Sequence, residues 1–171
     1  MLILGGAKSG KSTFALDMCN TLEKKRIFLA TAEALDKEME ERIRRHQSER
    51  GDDWQTMEEP LGIVDAIGEA DGEDRVILLD CLTIWLGNLY MKYGEDQGSV
   101  EGEVENLLKT LSGVAGAVVL VSNETGMGIV PQDPLTRRYR DTLGKLNQEV
   151  ARIARKVIVL IAGIPLTLKD E

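Results

Sequence analysis

The residues Gly5-Gly6-Ala7-Lys8-Ser9-Gly10-Lys11-Ser12 carry the spacing G-x-x-x-x-G-K-[ST] and follow directly on the apolar run Met1-Leu2-Ile3-Leu4. A strand, a glycine-rich turn and a helix in that order make a cradle for phosphate. Glycines permit backbone angles and close approaches that a Cβ obstructs, so successive N–H groups can face one anion. The start of the following helix adds unpaired N–H groups and the positive end of its dipole. Lys11 supplies a cation for the outer phosphates, and Ser12 a hydroxyl for Mg²⁺. The chain is therefore expected to bind a nucleoside triphosphate.

Three other groups of residues have chemical potential. Asp80 closes the apolar run Val76-Ile77-Leu78-Leu79, the form of a strand-end carboxylate that holds Mg²⁺ directly or through water. A carboxylate that merely starts a turn or caps a helix has the same local pattern. His46, the single histidine, follows Leu35, Met39 and Ile43 at helical spacing. On an apolar stripe it reads first as a packed or capping residue, the alternative being a nucleophile among Arg42, Arg44, Arg45 and Arg50. Those cations suit an anionic ligand and disfavour the protonated ring, which leaves a nucleophilic nitrogen available near neutral pH. Spacing does not choose between the two. The third group is the segment 123–131, Asn-Glu-Thr-Gly-Met-Gly-Ile-Val-Pro, whose glycines and short polar residues suit a ligand loop or a plain connection. Arg137, Arg138 and Arg140 beyond it read as a solvated helix face.

The elements that must position these residues alternate along the chain. Apolar runs at 2–4, 27–30, 76–79, 117–121 and 157–161 lack polar alternation, as strands buried on both faces do. Helical stripes lie between them: Phe14, Met18 and Leu22, then Leu35, Met39 and Ile43. Leu82, Trp85, Leu86 and Leu89 form a third, and Leu143, Leu146, Val150 and Ile153 a fourth. This order predicts an α/β fold of the P-loop NTPase kind, with a mostly parallel central sheet flanked by helices. Residues 71–74 read as a turn and 93–99 as an exposed loop. Residues 166–169 are expected to pair beside 157–161 as an antiparallel C-terminal edge hairpin, with Gly163 and Pro165 at the bend. Ligands in such sheets gather at the carboxyl ends of the strands.

Composition bounds the rest. The 171 residues suit one domain spanning 1–171. A net charge of −8 with no basic tract argues against nucleic acid as a partner. Cys19 and Cys81 are too few for a disulfide framework and lack metal spacing, so buried free thiols are expected. No export signal precedes the first strand, and the longest apolar stretch, 157–168, is short for a bilayer and contains Pro165. A soluble cytoplasmic protein without stable membrane insertion is the expectation.

Taken together, these pieces resemble the bifunctional adenosylcobinamide kinase/adenosylcobinamide-phosphate guanylyltransferase family of cobalamin biosynthesis. The resemblance rests on residues 5–12, Ala30-Thr31-Ala32-Glu33, Asp36-x-Glu38-Met39 and Arg42-Ile43-x-x-His46. It continues through Trp54-x-Thr56-x-Glu58, Asp80-Cys81-Leu82-Thr83 and 123–131 to Arg140-Asp141, Leu146-Asn147-Gln148 and 162–166, so it spans nearly the whole chain.

The resemblance implies two reactions. A triphosphate, ATP or GTP, phosphorylates the aminopropanol hydroxyl of adenosylcobinamide. GTP then gives GMP to adenosylcobinamide-phosphate through a covalent histidine–GMP intermediate, releasing pyrophosphate and adenosylcobinamide-GDP. The histidine corresponds to His46, with Lys11 as its catalytic companion. Thr31, Ala32, Glu33, Arg50, Glu58 and Asp80 correspond to positions that contact the nucleotide, with Ser12 and Asp80 at the metal. Two residues depart from common family choices: Lys8 stands for arginine, and Asp80 for the glutamate of some members. The family also implies a homo-oligomer, a trimer. Against this stand a single-activity P-loop kinase of another small alcohol, which gives His46 no covalent role, and a nucleotide-dependent regulatory switch.

Overall fold

The computed structural model describes residues 1–34, 37, 40, 41, 44, 50, 51 and 53–171. Its strands are β1 (Leu2–Gly5), β2 (Lys25–Ala30), β3 (Trp54–Glu58), β4 (Arg75–Asp80), β5 (Ala117–Asn123), β6 (Lys156–Ile161) and β7 (Ile164–Asp170). The described helices are α1 (Lys11–Asn20), α2 (Ile63–Ala70), α3 (Leu82–Tyr93), α4 (Gln97–Gly113) and α5 (Pro134–Ile153). The described strands form one sheet in the order β3-β2-β4-β5-β1-β6-β7. All neighbours are parallel except β6 and β7, which pair antiparallel. The parallel α/β architecture and the edge hairpin are thus as the sequence predicts.

Period-two alternation divides the strand side chains between two cores. Leu2, Leu4, Ile27, Leu29, Ile77, Leu79 and Leu120 pack with residues of α2, α3, α4 and α5. Ile3, Phe28, Val76, Leu78, Val119, Val121, Ile158 and Leu160 pack on the opposite face with Ala15, Leu16 and Cys19 of α1. Both cysteines are free and buried, as expected. Leu82, Trp85, Leu86 and Leu89 are buried together, as are Leu143, Leu146 and Val150, whereas Ile153 at the end of α5 is exposed. On α1 the buried face is Ala15, Leu16 and Cys19, with Phe14, Met18 and Leu22 packed at its rim. The stripe Leu35, Met39 and Ile43 lies outside the described residues.

Some expectations need correction. The segment 93–99 is not a loop throughout, because α4 begins at Gln97. Asp96 caps it, its carboxylate accepting from Ser99 N–H at 3.2 Å. The Asp and Ser that suggest a turn are here a helix cap. The hairpin bends at Ala162 and Gly163, with φ of 52° and 81°, and not at Pro165. Two central residues of positive φ match the tight turn that strand twist favours. Pro165 lies within β7, an edge strand where a missing N–H is tolerated. No described helix is long and apolar enough to cross a membrane.

Candidate active site

The turn after β1 is shaped by its own backbone. A Cβ on Gly5 would lie 2.4 Å from Ser9 Oγ and 2.8 Å from the Leu160 carbonyl oxygen, so a side chain here must displace the neighbouring strand. Gly10 has a φ of 89°, the left-handed region where glycine is at home. Gly6 needs neither explanation: its φ is not positive, and among the described residues beyond its chain neighbours a Cβ there would meet no atom within 4 Å. Lys8, exposed, takes the left-handed conformation with φ 56°. Ser9 is buried and Ala7 exposed. The tip of the β6–β7 hairpin braces the loop, Gly163 N–H donating to the Ser9 carbonyl at 3.1 Å.

Gly10 precedes α1 without a side-chain cap, and no acidic residue occupies the first turn. The first N–H groups of α1 are thus left to an anion, at the positive end of the helix dipole. Lys11 is buried, and its Nζ donates to the Gly6 carbonyl at 3.1 Å, arching the side chain back over the loop. Ser12 follows, half-buried in the same turn.

A second group gathers at the carboxyl ends of β2, β3 and β4. Ala30 pairs in register with Glu58 on one side and Asp80 on the other. Alternation places these residues on the α1 face with Phe28 and Leu78. Arg50, though distant in sequence, stacks its guanidinium 3.8 Å from the centroid of Phe28, whose ring also meets Trp54 edge-on. Burial pulls the Arg50 guanidinium below its usual range, while the charges of Asp80 and Glu58 oppose that shift. Three charged groups therefore share one neighbourhood.

Thr31 holds this end together. Its buried hydroxyl donates to the Cys81 carbonyl at 2.9 Å and accepts from Cys81 N–H at 2.8 Å. Asn88 of α3 ties the same place from above, its amide donating to the carbonyls of Thr31 and Pro60, both at 2.9 Å. Burial, with the Asp80 charge adding to it, pushes the Cys81 thiol up to about 11, so it stays protonated and unreactive. Ala32 is half-buried and Glu33 exposed just beyond the clasp. Glu59, beside Glu58, is already used: its Oε1 accepts from Leu61 and Gly62 N–H at 2.9 and 2.8 Å, before α2. Glu58 is the exposed member of the pair that faces Arg50.

Strand β5 lies between the phosphate-loop strand and the Asp80 strand. Its outgoing segment 123–131 ends in an exposed apolar tip, with Met127 90 % and Ile129 96 % exposed. Arg137 donates to the carbonyls of Pro131 and Gln132, and Arg140 to that of Ile129. These two arginines hold the loop and are not simply a solvated face; Arg138 is exposed. The structure thus brings Gly5 through Ser12, Arg50, Glu58 and Asp80 onto one face, with Thr31 clasping the Asp80 strand from beneath. His46 lies outside the described residues. Three features had little sequence signal: the Thr31 clasp, the hairpin brace and the loop-holding arginines. Each depends on partners distant in sequence or on a backbone carbonyl.

Comparison with known proteins agrees with this geometry. The family described as cobinamide kinase / cobinamide phosphate guanyltransferase matches residues 1–168. The chain is 42% identical over 170 residues to a bifunctional adenosylcobalamin biosynthesis protein of Pseudomonas aeruginosa, covering 99% of this chain and 97% of that one. It is 33% identical over 180 residues to the Escherichia coli protein of the same description, covering 99% of each. Among solved structures, it resembles the RadB recombinase (TM-score 0.55, 13% identity, 92% of this chain and 72% of that one). It also resembles a type III secretion ATPase (TM-score 0.54, 16% identity, 94% of this chain and 50% of that one). These structural likenesses extend only to the P-loop ATPase fold. With a family match over nearly its full length and curated relatives at 33–42% identity, the chain belongs to the bifunctional cobinamide kinase/cobinamide-phosphate guanylyltransferase family of adenosylcobalamin biosynthesis.

Proposed function

We propose that both activities run at one triphosphate site on the α1 face, with the phosphate loop at one end, Arg50 and Glu58 at the other, and Asp80 between them. The reading is supported by the placement of Glu58, Asp80 and the loop at the same carboxyl edge of the sheet and on the same face. The loop N–H groups and Lys11 hold the outer phosphates. Arg50, stacked on Phe28, and Glu58 contact the nucleotide further along the edge, with Thr31, Ala32 and Glu33 lining the adjoining strand end.

Ser12 and Asp80 would hold Mg²⁺. Both are oxygen donors, and the described residues form no group of three or more His, Cys, Asp or Glu. That suits an ion that keeps waters and substrate phosphates in its shell rather than an all-protein cage. When bound, it neutralises charge on the outer phosphates.

In the kinase step the alcohol of adenosylcobinamide attacks the terminal phosphorus of ATP or GTP. In the second step His46 attacks the α-phosphorus of GTP, pyrophosphate leaves from the loop, and adenosylcobinamide-phosphate takes the GMP from the imidazole nitrogen. A single domain, cytoplasmic action and assembly as a trimer complete the reading. The exposed apolar side chains Ile161, Ile164, Leu166 and Leu168 of the β6–β7 hairpin are a surface that a partner copy would cover.

The test is intact-protein mass spectrometry after incubation with GTP and Mg²⁺. A GMP-sized adduct should form with GTP and not ATP, vanish in His46→Ala, and discharge when adenosylcobinamide-phosphate is added. GTP binding without an adduct, or an adduct that survives His46→Ala, overturns the covalent histidine step.

A further inference from the structure

An apolar side chain standing singly on a surface is ordinary, but a cluster of them on one loop is not. Met127, Ile129 and Val130 are 90 %, 96 % and 59 % exposed, and Leu135 is 40 % exposed. All four fall between the end of β5 and the first turn of α5.

The segment that carries them is fastened at both ends. At its start, Asn123 N–H donates to Thr83 Oγ1 at 2.8 Å, and Glu124 N–H donates to the Gly5 carbonyl at 3.1 Å. At its far end Asp133 caps α5, accepting from Thr136 N–H at 2.7 Å. Arg137 and Arg140 reach back to the Pro131 and Ile129 carbonyls at 3.0 and 3.4 Å. Between these anchors, Gly126 N–H donates to Glu124 Oε1 at 2.8 Å. Main chain and polar side chains thus hold the loop, while its large apolar side chains stand in water, at a cost that burial against a partner removes.

Place decides the partner. The Glu124–Gly5 hydrogen bond ties the segment to the first residue of the phosphate loop, and Met127 follows within about 11 Å of extended chain. The exposed apolar residues Ile164, Leu166 and Leu168 belong instead to the edge strand β7. The alcohol to be phosphorylated must reach the phosphate loop, and a short arm joins it to a corrin, a methylated hydrocarbon macrocycle fringed with amides.

We propose that the segment 125–130 is the corrinoid docking surface, with Met127, Ile129 and Val130 packed against the hydrocarbon of the macrocycle. The proposal rests on the single-site reading above, in which the alcohol meets the triphosphate at the loop. Apolar area suits the macrocycle. Gly128, exposed between Met127 and Ile129, adds no side chain to screen its peptide groups from the amide fringe. Cobinamide and cobinamide phosphate carry the same macrocycle, so the surface serves both reactions.

The experiment compares the wild-type chain with two double variants, Met127→Ser with Ile129→Ser and Met127→Leu with Ile129→Val. Kinetics would be read for the kinase on cobinamide and for guanylyl transfer on preformed cobinamide phosphate, and oligomeric state by light scattering. The serine pair is expected to raise the corrinoid KM about 30-fold in both reactions, with kcat and the nucleotide KM within about threefold. GMP adduct formation from GTP alone, which uses no corrinoid, should keep its rate within about twofold. The leucine–valine pair keeps apolar area and should stay within about fivefold of the wild-type corrinoid KM. A serine pair whose corrinoid KM is within about threefold of wild type overturns the proposal. So does a serine pair that lowers the oligomeric state, since the loop is then a contact between copies of this chain. A rise confined to the kinase supports the docking surface and refutes the single-site reading instead.

Discussion

The two ends of the site are built differently. The phosphate loop is contiguous, shaped by Gly5 and Gly10 and presented by backbone N–H groups at an uncapped helix. The rest of the site draws Asp80, nearer the loop, and Arg50 and Glu58, beyond it, from three separate stretches and depends on strand order and one hydroxyl clasp to align them. On the single-site reading proposed above, the first would recognise a feature common to all triphosphates, and the second would be where a base, a sugar or an α-phosphorus is told apart. A contiguous loop is robust to changes elsewhere, while an assembled end is exposed to any mutation that shifts β2 against β4.

Substitutions sharpen that contrast. Gly5→Ala should have the largest effect on the loop end. Its methyl would sit 2.8 Å from a backbone oxygen of β6, so the loop must move. A fall of about 10²-fold in kcat/KM for both activities is expected, with a stability loss of about 1–3 kcal/mol. Gly6→Ala, with no atom of the described residues in its way, should have a stability within about 0.5 kcal/mol of wild type, so any activity it loses reports contact with the phosphates.

At the other end, Thr31→Val keeps the volume and removes the clasp. It leaves the Cys81 N–H and carbonyl without the Thr31 hydroxyl, at about 2–4 kcal/mol for the two groups, measured by denaturant unfolding. Thr31→Ser retains the hydroxyl and should lose under about 1.5 kcal/mol. Nearly equal stability losses for valine and serine would show that the clasp does not hold this end.

The smallest pair of effects separates two adjacent carboxylates. Glu59→Ala removes the acceptor for two N–H groups at the start of α2 and should lower stability by about 0.5–2 kcal/mol with little change in nucleotide affinity. Glu58→Ala should weaken nucleotide binding, with a stability loss under about 1 kcal/mol because its charge also offsets that of Arg50. Interchanged outcomes would move the nucleotide contact to Glu59.

Legibility in the sequence follows the same division. The loop, its strand and its helix lie within a dozen residues, so spacing alone reveals them. The central strands announce themselves through long apolar runs. Strand β3 does not: it is an edge strand in which Trp54 alone is buried, so its composition reads as polar. Helix α2 carries Ile63, Ala66, Ile67 and Ala70 at helical spacing but is too short to stand out. The choice between Glu58 and Glu59 has no local signal, since both are acidic and adjacent. What separates them is which one the start of α2 consumes. Likewise Asp80 reads correctly as a strand-end carboxylate, yet the position of β5 between it and the loop is a matter of strand order, which spacing does not encode.

The central claim is that one triphosphate site serves both reactions, and competition tests it most directly. A non-hydrolysable ATP analogue would be titrated against GTP while the GMP adduct is followed by intact mass, and against ATP in the kinase assay. The account predicts competitive inhibition in both, with the two inhibition constants agreeing within about threefold, because Lys11 and the loop hold the same outer phosphates. Adduct formation that proceeds undiminished at analogue concentrations which silence the kinase would contradict it and require a second nucleotide site.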